Sequence, residues 1–145
     1  MNNDILFISK EHEKFYNDNL LLVRYQDCYH KALVYCLGLN NDTRTHISEI
    51  YDFKAGLVRP DCIHQGWQTS GSIKVTRMAF NLYTNNTPTL YLCDSHEKLQ
   101  ECAKYTVEEL FSCSYAPFFW QAIKLRYPEY ASYDFKLHTM MGSLD

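Results

Sequence analysis

The spacing of apolar side chains between Ile73 and Tyr83 sets what this chain can fold into. Val75, Met78, Ala79, Leu82 and Tyr83 return every three or four residues, while Lys74, Arg77 and Asn81 take the opposite side. That is the pattern of an amphipathic helix with one face to bury. Hydroxyl side chains at Thr69, Ser70 and Ser72 precede it and can accept the unpaired amide hydrogens of a helix start, and Asn85-Asn86-Thr87-Pro88 follows as a breaker cluster. Such a helix holds only if other elements cover its stripe.

The rest of the chain supplies them as further helices. Ser9 can cap a helix carrying Phe15, Tyr16, Leu20 and Val23. Asp27 can cap a second that buries Tyr29, Ala32, Leu33, Cys36 and Leu37 and stops at Gly38, where glycine suits a left-handed helix end. Asp42 or Thr43 caps a third, which groups Ile47, Ile50 and Tyr51 and fades by Gly56. Pro60 opens a short helix with Ile63 and Trp67 one turn apart. From Asp94 to Tyr105, Leu99, Cys102 and Ala103 share one side. Thr106 and Glu109 have capping-box spacing ahead of Val107, Leu110 and Phe111 as a buried side. After Pro117, Phe119, Ile123 and Tyr127 form one stripe and Phe118, Ala122 and Leu125 another, until Pro128 ends the helix. The expectation is an all-α fold, an irregular compact bundle of about seven short helices over residues 1–128, with 129–145 as a C-terminal tail, docked or frayed. Asp4–Ser9 and Pro88–Cys93 hold a few β-favouring residues and leave room for one minor two-stranded β element.

A chain of 145 residues suits one domain, and 46% hydrophobic with 21% charged residues is a globular composition. The longest apolar runs, Ile5–Ile8 and Ala116–Trp120, fall far short of the roughly 20 residues of a membrane span. Met1-Asn2-Asn3-Asp4 puts no positive charge ahead of the first apolar run, so the expected location is the host cell cytosol, with the six cysteines as reduced thiols. With 14 basic against 17 acidic residues, the chain lacks the balance of a protein that holds nucleic acid mainly by phosphate neutralisation.

Candidate chemistry is sparse. Cysteine and histidine approach each other at Cys28/His30, Cys62/His64 and Cys93/His96, but no Cys-x-x-Cys or His-x-x-x-His pair occurs, and residues two apart on a helix point to different sides. No metal site and no cofactor are expected. Thr69, Ser70, Ser72, Lys74 and Arg77 set hydroxyls and cations at a helix N-terminus, the arrangement that binds phosphate or a nucleic-acid backbone. Ordinary capping with a solvated helix face accounts for the same residues, and neither G-x-x-x-x-G-K-[ST] nor G-x-G-x-x-G is present. Gly66 and Gly71 sit in what could be a helix-turn-helix connection, without a basic stripe to support it. G-x-S-x-G is absent and no catalytic residue is assigned, so the protein is expected to be non-enzymatic.

Aromatic residues are the compositional anomaly: 12 Tyr, 8 Phe and 2 Trp, 15% of the chain. Phe15, Tyr29, Tyr51, Trp67, Tyr83, Phe111, Phe119 and Tyr127 fall on helix stripes and belong to the expected core. Tyr25 falls on none, nor do Tyr91, Tyr105, Tyr115, Trp120, Tyr130 and Tyr133, and these last six are the candidates for a protein interface. The strings Ala32–Gly38, Ile50-Tyr51-Asp52-Phe53, Arg77-Met78-Ala79-Phe80-Asn81-Leu82-Tyr83, Phe111 and Ala122–Tyr127 resemble domain-of-unknown-function family 6075, a bacterial family, from about Phe7 to Tyr127. The resemblance implies a compact intracellular domain and a setting in Gram-positive bacteria, their phages and integrative elements, and it brings no activity, cofactor or site. Gln65–Ser72 and the residues after Tyr127 depart from the family's pattern. The function expected from aromatics and resemblance together is a protein-interaction module of a phage or mobile genetic element that binds and inhibits a host defence effector. The alternative is a nucleic-acid or nucleotide-binding module using residues 69–77. Oligomeric state is left open.

Overall fold

In a computed structural model of the protein, which describes residues 4–85 and 95–131, there are eight α-helices and one two-stranded sheet. The centre is α2 (Cys28–Leu37), in which every residue from Ala32 to Leu37 is buried. A helix apolar all round must be enclosed on all sides. It is: α1 (Lys10–Leu20), α5 (Ser70–Thr84) and α8 (Ala116–Arg126) pack around it.

Side-chain caps set most helix starts. Ser9 accepts from His12 N at 3.0 Å and Asp27 from His30 N at 3.0 Å, satisfying amides that have no partner within the helix. The far end of α2 is closed by the next element. Asn40 caps α3 (Asn41–Thr45), and from it the buried Thr43 hydroxyl donates to Leu37 O and Arg44 Nη1 donates to Gly38 O at 2.7 Å. Gly38 itself has φ −78°, ψ −12°, so it is not left-handed. It is glycine because a Cβ there would lie 2.6 Å from His12 Cδ2 and 2.9 Å from Phe15 Cδ1.

Helix α4 (Ile47–Ile50) buries Ile50 and ends before Tyr51. Tyr51 continues instead into β1 (Tyr51–Asp52), antiparallel to β2 (Leu57–Val58), with Tyr51 opposite Val58 and Asp52 opposite Leu57. Asp52 Oδ1 accepts from Lys54 N and Ala55 N, and Gly56 at φ +72° completes the reversal. The β element therefore lies at residues 51–58, not at Asp4–Ser9, which has no strand; Pro88–Cys93 falls outside the described residues. Pro60–His64 forms a 3-10 turn that stops before Trp67, whose ring stacks on His46 with centres 4.3 Å apart.

Helix α5 begins in a full capping box between Thr69 and Ser72. At α7 (Val107–Phe111), Thr106 accepts from Glu109 N at 3.3 Å, while the Glu109 carboxylate turns to Lys104 at 3.7 Å. Helix α6 (His96–Ala103) has no buried residue, and Leu99 on it is exposed. A 3-10 turn, Pro128–Tyr130, follows α8 directly.

Candidate functional site

The loop and first turns of α5 were the sequence candidate for an anion. Their hydroxyls are engaged with one another: Ser72 is buried, its Oγ accepts from Thr69 N at 2.7 Å and donates to Gln68 Oε1 at 2.6 Å, and Thr69 Oγ1 accepts from Ser72 N at 3.1 Å. Arg77 forms a bidentate pair with Glu101 of α6, Nε and Nη2 at 2.7 and 2.6 Å from its two oxygens. Ser70, Lys74 and Arg77 do share a shallow groove of about 200 Å³ with Ile73, Lys104 and Glu109. Of the five residues proposed from sequence, only Ser70 and Lys74 there make no side-chain hydrogen bond or ion pair among the described residues, and the cations face the carboxylates of Glu101 and Glu109. Sequence spacing did not reveal Lys104, Glu101 and Glu109, because they arrive from two other helices.

The aromatic candidates separate by environment. Tyr105 and Tyr115 are half-buried against the core; the Tyr115 hydroxyl accepts from Asn40 Nδ2 at 2.9 Å, and burial, then the charge of Glu101, pushes the Tyr105 phenol up to about 12. Trp120 and Tyr130 stand in solvent, at 59% and 81% exposure. Tyr91 and Tyr133 lie outside the described residues. Trp120 sets its ring 5.2 Å from that of Phe111, and one turn before Phe111 on the same side of α7 is Val107, 74% exposed. Val107, read from sequence as buried, is the first residue of its helix and lies beyond the covered part of the stripe; Leu110 carries the burial. Val107, Phe111 and Trp120 thus form an apolar strip across α7 and α8, flanked by the exposed Glu108 and Lys124.

Two of the core aromatics read from sequence, Tyr29 and Tyr127, are partly exposed because they sandwich Arg126, whose guanidinium carbon is 3.7 and 4.4 Å from their ring centres. Arg126 is 7% exposed and donates to Leu82 O at 2.9 Å and to Asn85 Oδ1 at 2.7 Å; Asn85, at φ +59°, ends α5 in the left-handed conformation. Tyr51 and Tyr83 meet at 2.9 Å. Tyr83 donates to Gly56 O at 2.7 Å, so Tyr51 is the donor between them. His30 bridges this pair to Asp27, with Nε2 3.3 Å from the Tyr83 hydroxyl and Nδ1 2.7 Å from Asp27 Oδ1. Burial alone would raise Asp27, but hydrogen bonds from the His30 amide and ring hold its carboxyl below the usual range. These contacts tie the strings Tyr51-Asp52-Phe53 and Ala79-Phe80-Asn81-Leu82-Tyr83 to each other and to α2.

Among the described residues no three histidine, cysteine or acidic side chains gather as a metal site, Cys28, Cys36, Cys62, Cys102 and Cys113 form no disulfide, and no helix is long and apolar enough to cross a membrane. Cys93 is outside the described residues. No curated protein and no solved structure matches the chain. A family described as one of unknown function, DUF6075, matches residues 2–139, and the chain belongs to it.

Proposed function

We propose that the chain is a non-enzymatic protein-binding module that engages its partner through the strip formed by Val107, Phe111 and Trp120. The observation that carries this reading is Trp120, a tryptophan 59% exposed on a well-formed helix, its ring continued by Phe111 and Val107 into one apolar surface. Contiguous exposed apolar groups mark binding surfaces, and tryptophan is the residue most enriched among those that dominate binding energy. The flanking Glu108 and Lys124 suit a partner with an apolar pocket and charged groups at its rim. In the mobile-element setting implied by the resemblance, the partner class is a host defence effector, which the protein would inhibit by occupying it.

The full chain, tagged and incubated in host lysate, should retain one protein in stoichiometric amount. The purified partner should then bind the Trp120→Ala variant about 30-fold more weakly, as loss of a hot spot of ~2 kcal/mol requires, with the melting temperature of the variant unchanged. Recovery of nucleic acid alone, or equal affinity for the variant, overturns the reading.

A further inference from the structure

A second surface meets the margin of the aromatic strip at Lys124 and otherwise draws on other residues. Residues of α1, α2, α8 and the segment before α1 line a cleft of about 750 Å³, within the ~300–1,000 Å³ of small-molecule sites. Ile5 and Leu125 give it apolar wall, and its polar groups are mostly donors. Tyr16 is the most constrained of them. Its ring is held near Phe7 and Tyr35, with centres 5.6 and 6.2 Å away, and the residue is only 4% exposed. Its hydroxyl has no hydrogen-bond partner among the described residues and is not sealed from solvent, so it opens on the cleft that the residue lines. A phenol buried to this extent ordinarily finds a partner. Burial also pushes it up to about 12, which keeps it protonated as a donor.

The neighbouring groups are of the same sign. Gln121 Oε1 accepts from Leu6 N at 3.0 Å, and this fixes the amide with its NH₂ left to donate. Lys31 and Lys124 line the cleft and make no ion pair among the described residues, whereas Lys14 on α1 pairs with Asp18. Among the described residues Asp4 is the one carboxylate of the lining, and it is engaged in an interaction of its own. Two ammonium groups, an unpartnered phenol and an amide donor beside apolar wall are complementary to acidic oxygens carried on a hydrocarbon body.

We propose that this cleft binds a small organic anion with an apolar body, its acidic group held by Lys31, Lys124 and the Tyr16 hydroxyl and its hydrocarbon part lying against Ile5 and Leu125. A carboxylate and a phosphate monoester share this chemistry, and the probes distinguish them. Titration calorimetry of the full chain with decanoate, decyl phosphate and decanol should show saturable one-to-one binding of at least one anion below about 1 mM, with decanol at least ~10-fold weaker. The variant Lys31→Gln/Lys124→Gln should lose about 10-fold or more for the bound anion. Tyr16→Phe, which keeps the ring in its cluster, should lose roughly 3- to 10-fold. Lys14→Gln and Trp120→Ala should bind as the native chain does. The proposal is overturned by any of three results: no saturable binding of either anion, equal binding by the double glutamine variant, or loss of binding in Trp120→Ala. The last would place the ligand on the aromatic strip, and failure here leaves the protein-binding reading intact.

Discussion

Lowering the pH from 7 to 4.5 should cost this protein about 2.5 kcal/mol through one side chain, His12. Its imidazole is fully buried on the first turn of α1. Ile8 N–H donates to Nδ1 at 3.1 Å, so the ring proton is on Nε2, which donates to Tyr35 O at 2.7 Å. Both nitrogens are used by the neutral form. A second proton would break the bond from Ile8 and place a charge inside the Phe7–Tyr35 cluster. Burial accordingly lowers the His12 pKa to about 4, against the Tyr35 hydrogen bond that favours the charged ring and with a smaller contribution from Arg44. The sign follows from linkage. Below the unfolded value of 6.5 the unfolded chain takes up a proton that the folded chain refuses, so the contribution is complete above pH 6.5 and is lost as pH falls towards 4. At 1.36 kcal/mol per pH unit, less the rounding near each pKa, pH 4.5 removes about 2.5 kcal/mol. Urea unfolding at both pH values isolates it when native chain and His12→Gln are compared, since Asp27, Asp52 and the other carboxylates titrate in both. The glutamine amide can still donate to Tyr35 O, and the variant, less stable at pH 7, should lose about 2.5 kcal/mol less than the native chain on acidification. Equal losses in the two proteins would refute the reasoning.

Gly38→Ala would ordinarily favour a helix at φ −78°, but its methyl meets the His12 and Phe15 rings, and thermal unfolding should show a loss of about 1–3 kcal/mol rather than a gain. Arg126→Lys keeps the charge but gives up the planar stack between Tyr29 and Tyr127 and at least one of the bonds to Leu82 and Asn85; chemical unfolding should register about 2–3 kcal/mol. Tyr83→Phe leaves Gly56 O and the Tyr51 hydroxyl without their partner, and should lower stability by about 1–3 kcal/mol with faster amide exchange in the 51–58 hairpin.

What could be read from the sequence was local. Asp27, Ser9 and Thr69 cap the helices they precede, and the apolar run Ala32–Leu37 is the centre of the core, because capping and periodicity act within a few residues. Tyr51 was misplaced for the same reason: one turn after Ile47 it continues a helical stripe, and a strand of two residues is too short to show alternation. Gly38 was correctly a helix end but for another cause, since the rings that exclude a side chain belong to α1. The anion reading of residues 69–77 could not include Glu101, which is 24 positions beyond Arg77. The unpartnered hydroxyl of Tyr16 and the lysines beside it come together only through the packing of α1, α2 and α8, and no spacing along the chain announces them.

Arg126 also bears on the order in which the molecule can be made. Its guanidinium joins Tyr29 near the start of α2 to Leu82 and Asn85 at the end of α5, so the two earlier helices receive this clamp only after residue 126 has been synthesised. Until α8 arrives, the flank of α2 that it covers is open apolar surface on a nascent chain. Folding during translation must therefore pass through a stage in which the central helix is present but incompletely enclosed, and any fragment ending before residue 126 should persist as a chaperone substrate rather than a smaller domain.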